Sequence, residues 1–439
     1  MKLFKPPSLP KLGATAAAVA IMLASLSGCS QPEADDSGPK TLTVWYPGAQ
    51  NKVLADQFVP QFEKEAGVKV ELTFVDWTDM SPKLNAAFAA GSAPDVFGHG
   101  PAAAADFAAN DRILDLDDYV KKMSETDRKD LAGALPGGQV DGKQYLMPLS
   151  LQGSLIVYDA DAFREAGINP DTPPETWDEA RAVAEKLTKR DQSGQITRSG
   201  LLLPSAAVTR EQSFLTLLSG KGGSLLNKEG TEATLNSTEG VAALEFFAGL
   251  YTGQNAVSAN LGQDYSALPP AQQPIVQGTA AMTELPAGSG AVASVLKAAP
   301  GRDLRIMPAL SFDSKSPAAF GGAGPGLMIN KDSKAADLAW KFIAYMMSAE
   351  VSTEYTKAAG AMPVRASAQD SDYAKNSPLV KTFLSQAEHF VPNPNVVGWV
   401  QIRDELDKHL EQALNQRVSA KDALQGAADK INKMLKSNR

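Results

Sequence analysis

Residues 138–158 (Gly-Gln-Val-Asp-Gly-Lys-Gln-Tyr-Leu-Met-Pro-Leu-Ser-Leu-Gln-Gly-Ser-Leu-Ile-Val-Tyr) set two strand-like runs end to end across a polar break. Asp141-Gly142 between apolar runs is a strong hairpin signal, because a tight primed turn needs the positive φ that glycine supplies. The runs 145–149 and 154–158 follow. Ser150, Gln152 and Gly153 stand between them, where one continuous core strand would stay apolar. The spacing predicts a chain that leaves one core and enters another, hence two lobes with a cleft between them. A length of 439 residues exceeds one ordinary core and agrees with two domains.

The N-terminus reads as an export signal. Lys2, Lys5 and Lys11 form a basic segment, and 13–26 is a short apolar run ending in small residues, too short to span a membrane. Residues 1–28 are therefore expected to be a signal peptide. The run stops at Leu26-Ser27-Gly28-Cys29, which resembles the bacterial lipobox, with Cys29 as the acylated first residue of the mature chain. Acyl chains there would hold the protein on a membrane surface, extracytoplasmic side. Cys29 is the only cysteine, so no disulfide is available and the exported part must be stabilised by burial. Residues 29–40 lack apolar periodicity and read as a flexible tether. The formal charge of −8 gives no electrostatic footprint for nucleic acid.

From residue 41 the pattern becomes regular. A strand at 41–46 precedes a helix marked by Val53, Leu54, Phe58 and Phe62 and closed at Gly67. Val68, Val70, Leu72 and Phe74 alternate as a second strand, Leu84 and Phe88 mark a helix ending at Gly91, and 95–97 is a third strand. This alternation predicts an α/β lobe with a largely parallel sheet. Ligands bind beyond the carboxyl ends of such strands, where this chain carries Tyr46, Asp76-Trp77 and His99. Trp45 alternates with core positions, so Trp77 is expected to be the exposed indole, while Trp177 and Trp340 fall in helical core patterns. Thr176-Trp177-Asp178-Glu179 is a capping box. The polar stretch 205–210 reads as a loop before a helix. The glycines of 319–326 suggest a second crossing with close backbone approach, and 370–378 a third.

No enzyme signature stands out. His99, His389 and His409 have no metal-ligand spacing, and neither a nucleophile elbow nor a phosphate-binding loop is present. The glycines at 321–326 precede a strand instead of opening a helix, so they are not a dinucleotide fingerprint. No catalytic residue, metal or cofactor is expected.

Taken in order, the lipobox, the strand at 41–46, the run 90–97 (Ala-Gly-Ser-Ala-Pro-Asp-Val-Phe), 142–148 (Gly-Lys-Gln-Tyr-Leu-Met-Pro), 155–159, 174–180, 277–282 (Gln-Gly-Thr-Ala-Ala-Met) and 339–343 resemble the extracellular solute-binding proteins of bacterial ABC importers, family 1, the maltose-binding-like group. The resemblance covers nearly all of the mature chain. It implies a two-lobed periplasmic-binding-protein-like α/β fold (class II type), each lobe a mixed sheet flanked by helices, with three hinge crossings. The expected N-lobe is 41–148 with 326–372, and the C-lobe 153–320 with 378–439. It also implies a monomer that captures a small carbohydrate in the cleft and hands it to transmembrane permease subunits.

By position in such proteins, Tyr46, Asp76, Trp77 and His99 would line the N-lobe side. Gln152 and Gly322 would sit at the crossings, and Arg210, Glu284, Trp399 and Arg403 on the C-lobe side, Trp399 as a stacking platform. Taken alone, Arg210 and Glu284 read as ordinary surface charges. The segment 285–290 lacks the tryptophan that relatives for longer sugars carry there, which favours a smaller or more polar solute. Arg210, Arg403 and His99 leave an anionic solute such as a glycerophosphodiester open. A reading of another class is an exported carbohydrate-active enzyme, which would need an acid pair across the cleft.

Overall fold

The structure is a computed structural model that describes residues 40–48, 52–266, 268–288, 290–313 and 316–438. The expected signal peptide, Cys29 and the expected tether up to residue 39 lie outside the described residues, as does Ser289.

The opening alternation folds as β1 (Thr41–Pro47), α1 (Val59–Ala66), β2 (Lys69–Val75), α2 (Trp77–Ala89) and β3 (Val96–His99). A short helix α3 (Ala104–Ala109) follows, then β4 (Met147–Pro148) and the nine-residue β5 (Leu151–Asp159). Later come α4 (Thr209–Gly220), β6 (Met282–Pro286), β7 (Leu304–Ile306), β8 (Ala319–Ala323), β9 (Gly326–Ile329), α5 (Ala349–Ala359), β10 (Phe390–Val391), α6 (Trp399–Leu414) and α7 (Ala420–Ser437). At Asp141-Gly142 the backbone takes φ values of 50° and 77°, the primed turn that joins two antiparallel two-residue strands.

Two five-stranded sheets carry the fold. In the first, the order is β2-β1-β3-β9-β4, with β1 parallel to β2 and β3, and β9 antiparallel to β3 and β4. In the second, β5 is central. It pairs antiparallel with β6 along one edge and with β7 and β8 along the other, and β10 adds in parallel to β8.

Strand alternation sends side chains to opposite faces, so each sheet builds two apolar layers. Leu42, Val44, Val96, Leu327 and Ile329 pack on one face of the first sheet, and Phe97 and Met328 on the other. Ile156, Tyr158 and Met282 pack on one face of the second, and Leu155, Val157 and Leu285 on the other. The buried core residues of the two sheets fall in separate clusters, which makes them two lobes.

The passages between the lobes are short and lie side by side. Only Leu149 and Ser150 separate β4 from β5, and only Gly324 and Pro325 separate β8 from β9. Leu149 N–H donates to Pro325 O (3.1 Å) and Gly324 N–H to Ser150 O (2.8 Å), so the two crossings bond to each other. Beside them Leu151 N–H donates to Met362 O (3.0 Å). A third passage leads from Ser367, held by Asp130 of the first lobe, to Ala374 in the second lobe's core, and it is helical at Asp372–Asn376. Arg365, just before it, is buried and donates to Asp127, Asp130 and Met347 O.

A Cβ at Gly324 would lie 2.6 Å from Ser150 O and 2.9 Å from its Oγ. Gly324→Ala is therefore expected to push the crossings apart and lower unfolding free energy by about 1–3 kcal/mol, the usual cost of overpacking. Urea denaturation measures it.

Candidate functional site

The first lobe's contribution stands where its parallel strands end. Trp77 opens α2 and is 47% exposed, the larger of two exposed bulky apolar side chains among the described residues. Gly48 leaves room beside it, since a Cβ there would lie 3.3 Å from the indole Nε1. Asp76 caps the same helix with its backbone alone, and its carboxylate is exposed.

Trp77 and the buried ring of His99 pack edge to face, with centroids 5.9 Å apart and planes at 89°. His99 Nδ1 accepts from Gly100 N–H (2.8 Å), since an amide nitrogen can only donate. Nε2 must then carry the proton of the neutral ring and donate to Ser81 Oγ, 3.0 Å away. Burial, with the charge of Arg403 nearby, pushes His99 down to about 4, so the ring is neutral at physiological pH.

Arg403, on α6 of the second lobe, thus faces a side chain of the first. It pairs with its neighbour Asp404 (2.8 Å) and lies close to Glu211. Glu211, in the first turn of α4, is fully buried, and neither carboxylate oxygen has a hydrogen-bond partner. Its burial raises the carboxyl to about 8, against the pull of Arg403. Glu284, on β6, is also buried. Its Oε2 lacks a partner and burial raises it to about 7. It lines a small pocket with Ser154 and Thr216. Gln152 and Gly322 sit opposite one another at the crossing ends of β5 and β8, and Gln152 is partly exposed.

Several expectations need correction. Arg210 is neither in a loop nor a surface charge. It lies in the first turn of α4, is 4% exposed, and donates to Ser205 O (2.8 Å), Asp407 O (3.0 Å) and Asp407 Oδ2 (2.8 Å). Its guanidinium ties α4 to α6, because a buried charge is tolerated only when paired. Glu284 is not a surface charge either. Trp399 is no open platform: it is 2% exposed and packed in the second lobe's core at the start of α6. Tyr46 turns into the first lobe's core, its hydroxyl 3.2 Å from that of Tyr355 on α5, because β1 alternation puts it on the face of Leu42 and Val44.

Trp177 is core, as its helical spacing implies, and Trp340 is partly buried against Tyr119. Glu211 and Ser81 were not legible as site residues. Glu211 had only the adjacent Arg210 to mark it, and Ser81 lay one turn inside a helix with no motif around it.

Two lobes with separate cores, joined by adjacent crossings and facing each other over polar groups, define a hinged binding protein. The chain belongs to the bacterial extracellular solute-binding protein family, whose profile its residues 47–353 match. It is 25% identical over 368 residues to the diacetylchitobiose binding protein DasA of Streptomyces coelicolor, covering 80% of this chain and 82% of that one. It is 24% identical over 307 residues to the sn-glycerol-3-phosphate-binding periplasmic protein UgpB of Rhizobium meliloti, covering 66% and 68%. The fold superposes with a TM-score of 0.80 and 25% identity on an ABC substrate-binding protein of Listeria monocytogenes in complex with cycloalternan, covering 91% and 99%. Each of these relatives is a binding protein.

Trp399→Ala is expected to cost about 3–5 kcal/mol of stability, as for a large buried aromatic, whereas Trp77→Ala should stay near ~0.5 kcal/mol, as for a surface change. Chemical denaturation of both variants separates them. The carboxyl of Glu211 is held above its unfolded value of 4.5, up to about 8, so the stability it confers is complete below pH 4.5 and lost as pH rises toward 8. His99 is depressed from 6.5 to about 4, so its contribution is lost as pH falls through that window. Glu211→Gln should flatten the loss of stability between pH 5 and 8 without changing the acid limb, as read by urea midpoints across that range.

Proposed function

We propose that this protein is the solute-capturing component of an ABC importer and closes on a small, uncharged carbohydrate, from a mono- to a trisaccharide. The observation that carries this reading is an exposed indole, Trp77, packed on His99 of the first lobe, with Arg403 of the second lobe near that ring. Trp77 offers an apolar face on which a sugar ring can stack. Neither oxygen of the Glu211 carboxyl has a partner, and the protonated group can donate to one solute hydroxyl and accept from another. Diacetylchitobiose and cycloalternan, bound by the relatives above, are carbohydrates, which supports the class.

Charge favours a neutral solute. The cations that would attract an anion are already matched: Arg210 by Asp407, and Arg403 by Asp404. His99 contributes no charge near pH 7. An anionic solute such as a glycerophosphodiester would have to displace carboxylates from these arginines. The likeness to a glycerol-3-phosphate binder nevertheless makes it the solute to test beside sugars.

In this reading residues 1–28 direct export, Cys29 carries the lipid, and 29–40 tether the binding domain outside the cytoplasmic membrane. The N-lobe is 41–148 with 326–372 and the C-lobe 153–320 with 378–439. Solute touches both lobes only when they are shut, so it shifts an open–closed equilibrium toward the form that a permease accepts.

A thermal-shift screen over mono-, di- and trisaccharides, polyols and glycerophosphodiesters tests the reading. Ligand at a hundredfold excess over Kd adds about 2.7 kcal/mol of stability. A neutral sugar is expected to raise the melting temperature, and Trp77→Ala to weaken that sugar's binding at least tenfold while leaving the unliganded melting temperature unchanged. A shift with the phosphodiester alone would overturn the carbohydrate assignment. Turnover of a glycoside would overturn the transport one.

A further inference from the structure

A small pocket inside the second lobe gathers polar atoms that the solute reading leaves unused. It lies between β5, β6, α4, the start of the helix Trp177–Leu187 and the segment 308–319, and Leu310 and Ala319 give it apolar walls. Trp177 is 1% exposed, and its indole Nε1–H has no acceptor among the described residues. The ring is not free to turn toward one. Its backbone N–H donates to Ser311 O (2.9 Å), and Phe246 and Phe312 pack on the ring with centroids 6.0 and 6.2 Å away. α4 brings its 216–220 face to this nitrogen, since a Cβ at Gly220, one turn beyond Thr216, would lie 3.6 Å from Nε1.

Thr216 is buried, and its Oγ accepts from Phe320 N–H of β8 (2.9 Å), which leaves the hydroxyl proton in need of an acceptor. From β6, Glu284 adds a carboxyl that is 4% exposed and whose Oε2 has no partner. Burial keeps this group neutral up to about pH 7. Two donors and an acceptor therefore line one pocket, and no two of them bond directly. Buried polar groups are almost always satisfied, and where side chains do not meet, a water held by several polar partners satisfies them. The lining selects for it. An apolar occupant would leave all three groups unpaired. A cation would face the protons of the indole and the hydroxyl, and an anion would face the Glu284 carboxyl. A small neutral molecule that both donates and accepts fits.

We propose that the pocket is an internal water site, in which one ordered water accepts from Trp177 Nε1–H and Thr216 Oγ–H and donates to Glu284 Oε2. The water joins the helix Trp177–Leu187, α4 and β6 through one shared centre, and it gives Glu284 a partner within its own lobe. Glu284 is then a support of the second lobe and not a solute contact. Every group involved is buried in one lobe, so the water site stands whatever solute the protein binds.

A high-resolution crystal structure and nuclear magnetic resonance of tryptophan-labelled protein test the site. The crystal should show density within about 2.7–3.2 Å of Trp177 Nε1 and Glu284 Oε2. In solution the indole proton of Trp177, assigned by loss of its signal in Trp177→Phe, should show a cross-relaxation peak to water. Glu284→Gln keeps an acceptor oxygen and should keep the peak. Thr216→Val removes the hydroxyl that could relay proton exchange and should keep it too, which separates a bound water from a relay. Glu284→Leu removes the acceptor and should lose both peak and density. Should that variant fail to fold, the wild type and the other two variants decide alone. A pocket without density and an indole without the water peak, or a peak that survives Glu284→Leu, would overturn the water site while leaving the carbohydrate reading untouched.

Discussion

The backbone bonds between the first two crossings hold the molecule's organisation together. Leu149 and Ser150 run beside Gly324 and Pro325, paired by two amide-to-carbonyl hydrogen bonds, and Leu151 adds a third bond to Met362. β4 is an edge strand of one sheet and β5 the centre of the other, so a two-residue link joins two separate cores. A link that short cannot carry a large independent excursion. Motion between the lobes is confined to a few dihedrals about this ladder, which is what a hinge requires. The absence of a side chain at Gly324 is a condition of the ladder, because a methyl group there would strike Ser150.

The second lobe uses its buried polar groups in two ways. Arg210, Asp407 and Ser205 are consumed in support: a buried guanidinium with its hydrogen bonds made holds α4 against α6 and leaves little charge for a ligand. Glu211 is the opposite case. A buried group without a partner costs about 1–3 kcal/mol, and burial answers by raising its proton affinity. His99 completes the logic from the other lobe. Its amide donor and hydroxyl partner fix one neutral tautomer, so it offers Trp77 a neutral ring to pack on instead of charge.

Much of the architecture was legible because it rests on local periodicity. The strict alternation of Val68, Val70, Leu72 and Phe74, the Asp141-Gly142 turn and the capping box at Thr176 and Glu179 are each decided within a few residues, and each forms as its pattern dictates. The polar break at Ser150–Gly153 works the same way: a strand that changes cores must interrupt its apolar run. Trp177 was legible as core from helical spacing alone.

The site was legible only in part, because burial of a side chain depends on what a distant segment brings to it. Trp399 begins a helix, and its one-dimensional context suits a platform and a core residue equally. Helices from elsewhere in the second lobe close over it. Arg210 became a pillar because Asp407, almost two hundred residues later, lies across from it, while its neighbour Glu211 was left without a partner. The sequence by itself determined the elements, the change of core at residue 150 and the exposed indole at Trp77, because hydrophobic period and turn chemistry act over a few residues. Only the tertiary structure decided which charges are spent on each other and which buried groups are left without a partner. Those outcomes depend on distances between segments that no local pattern records.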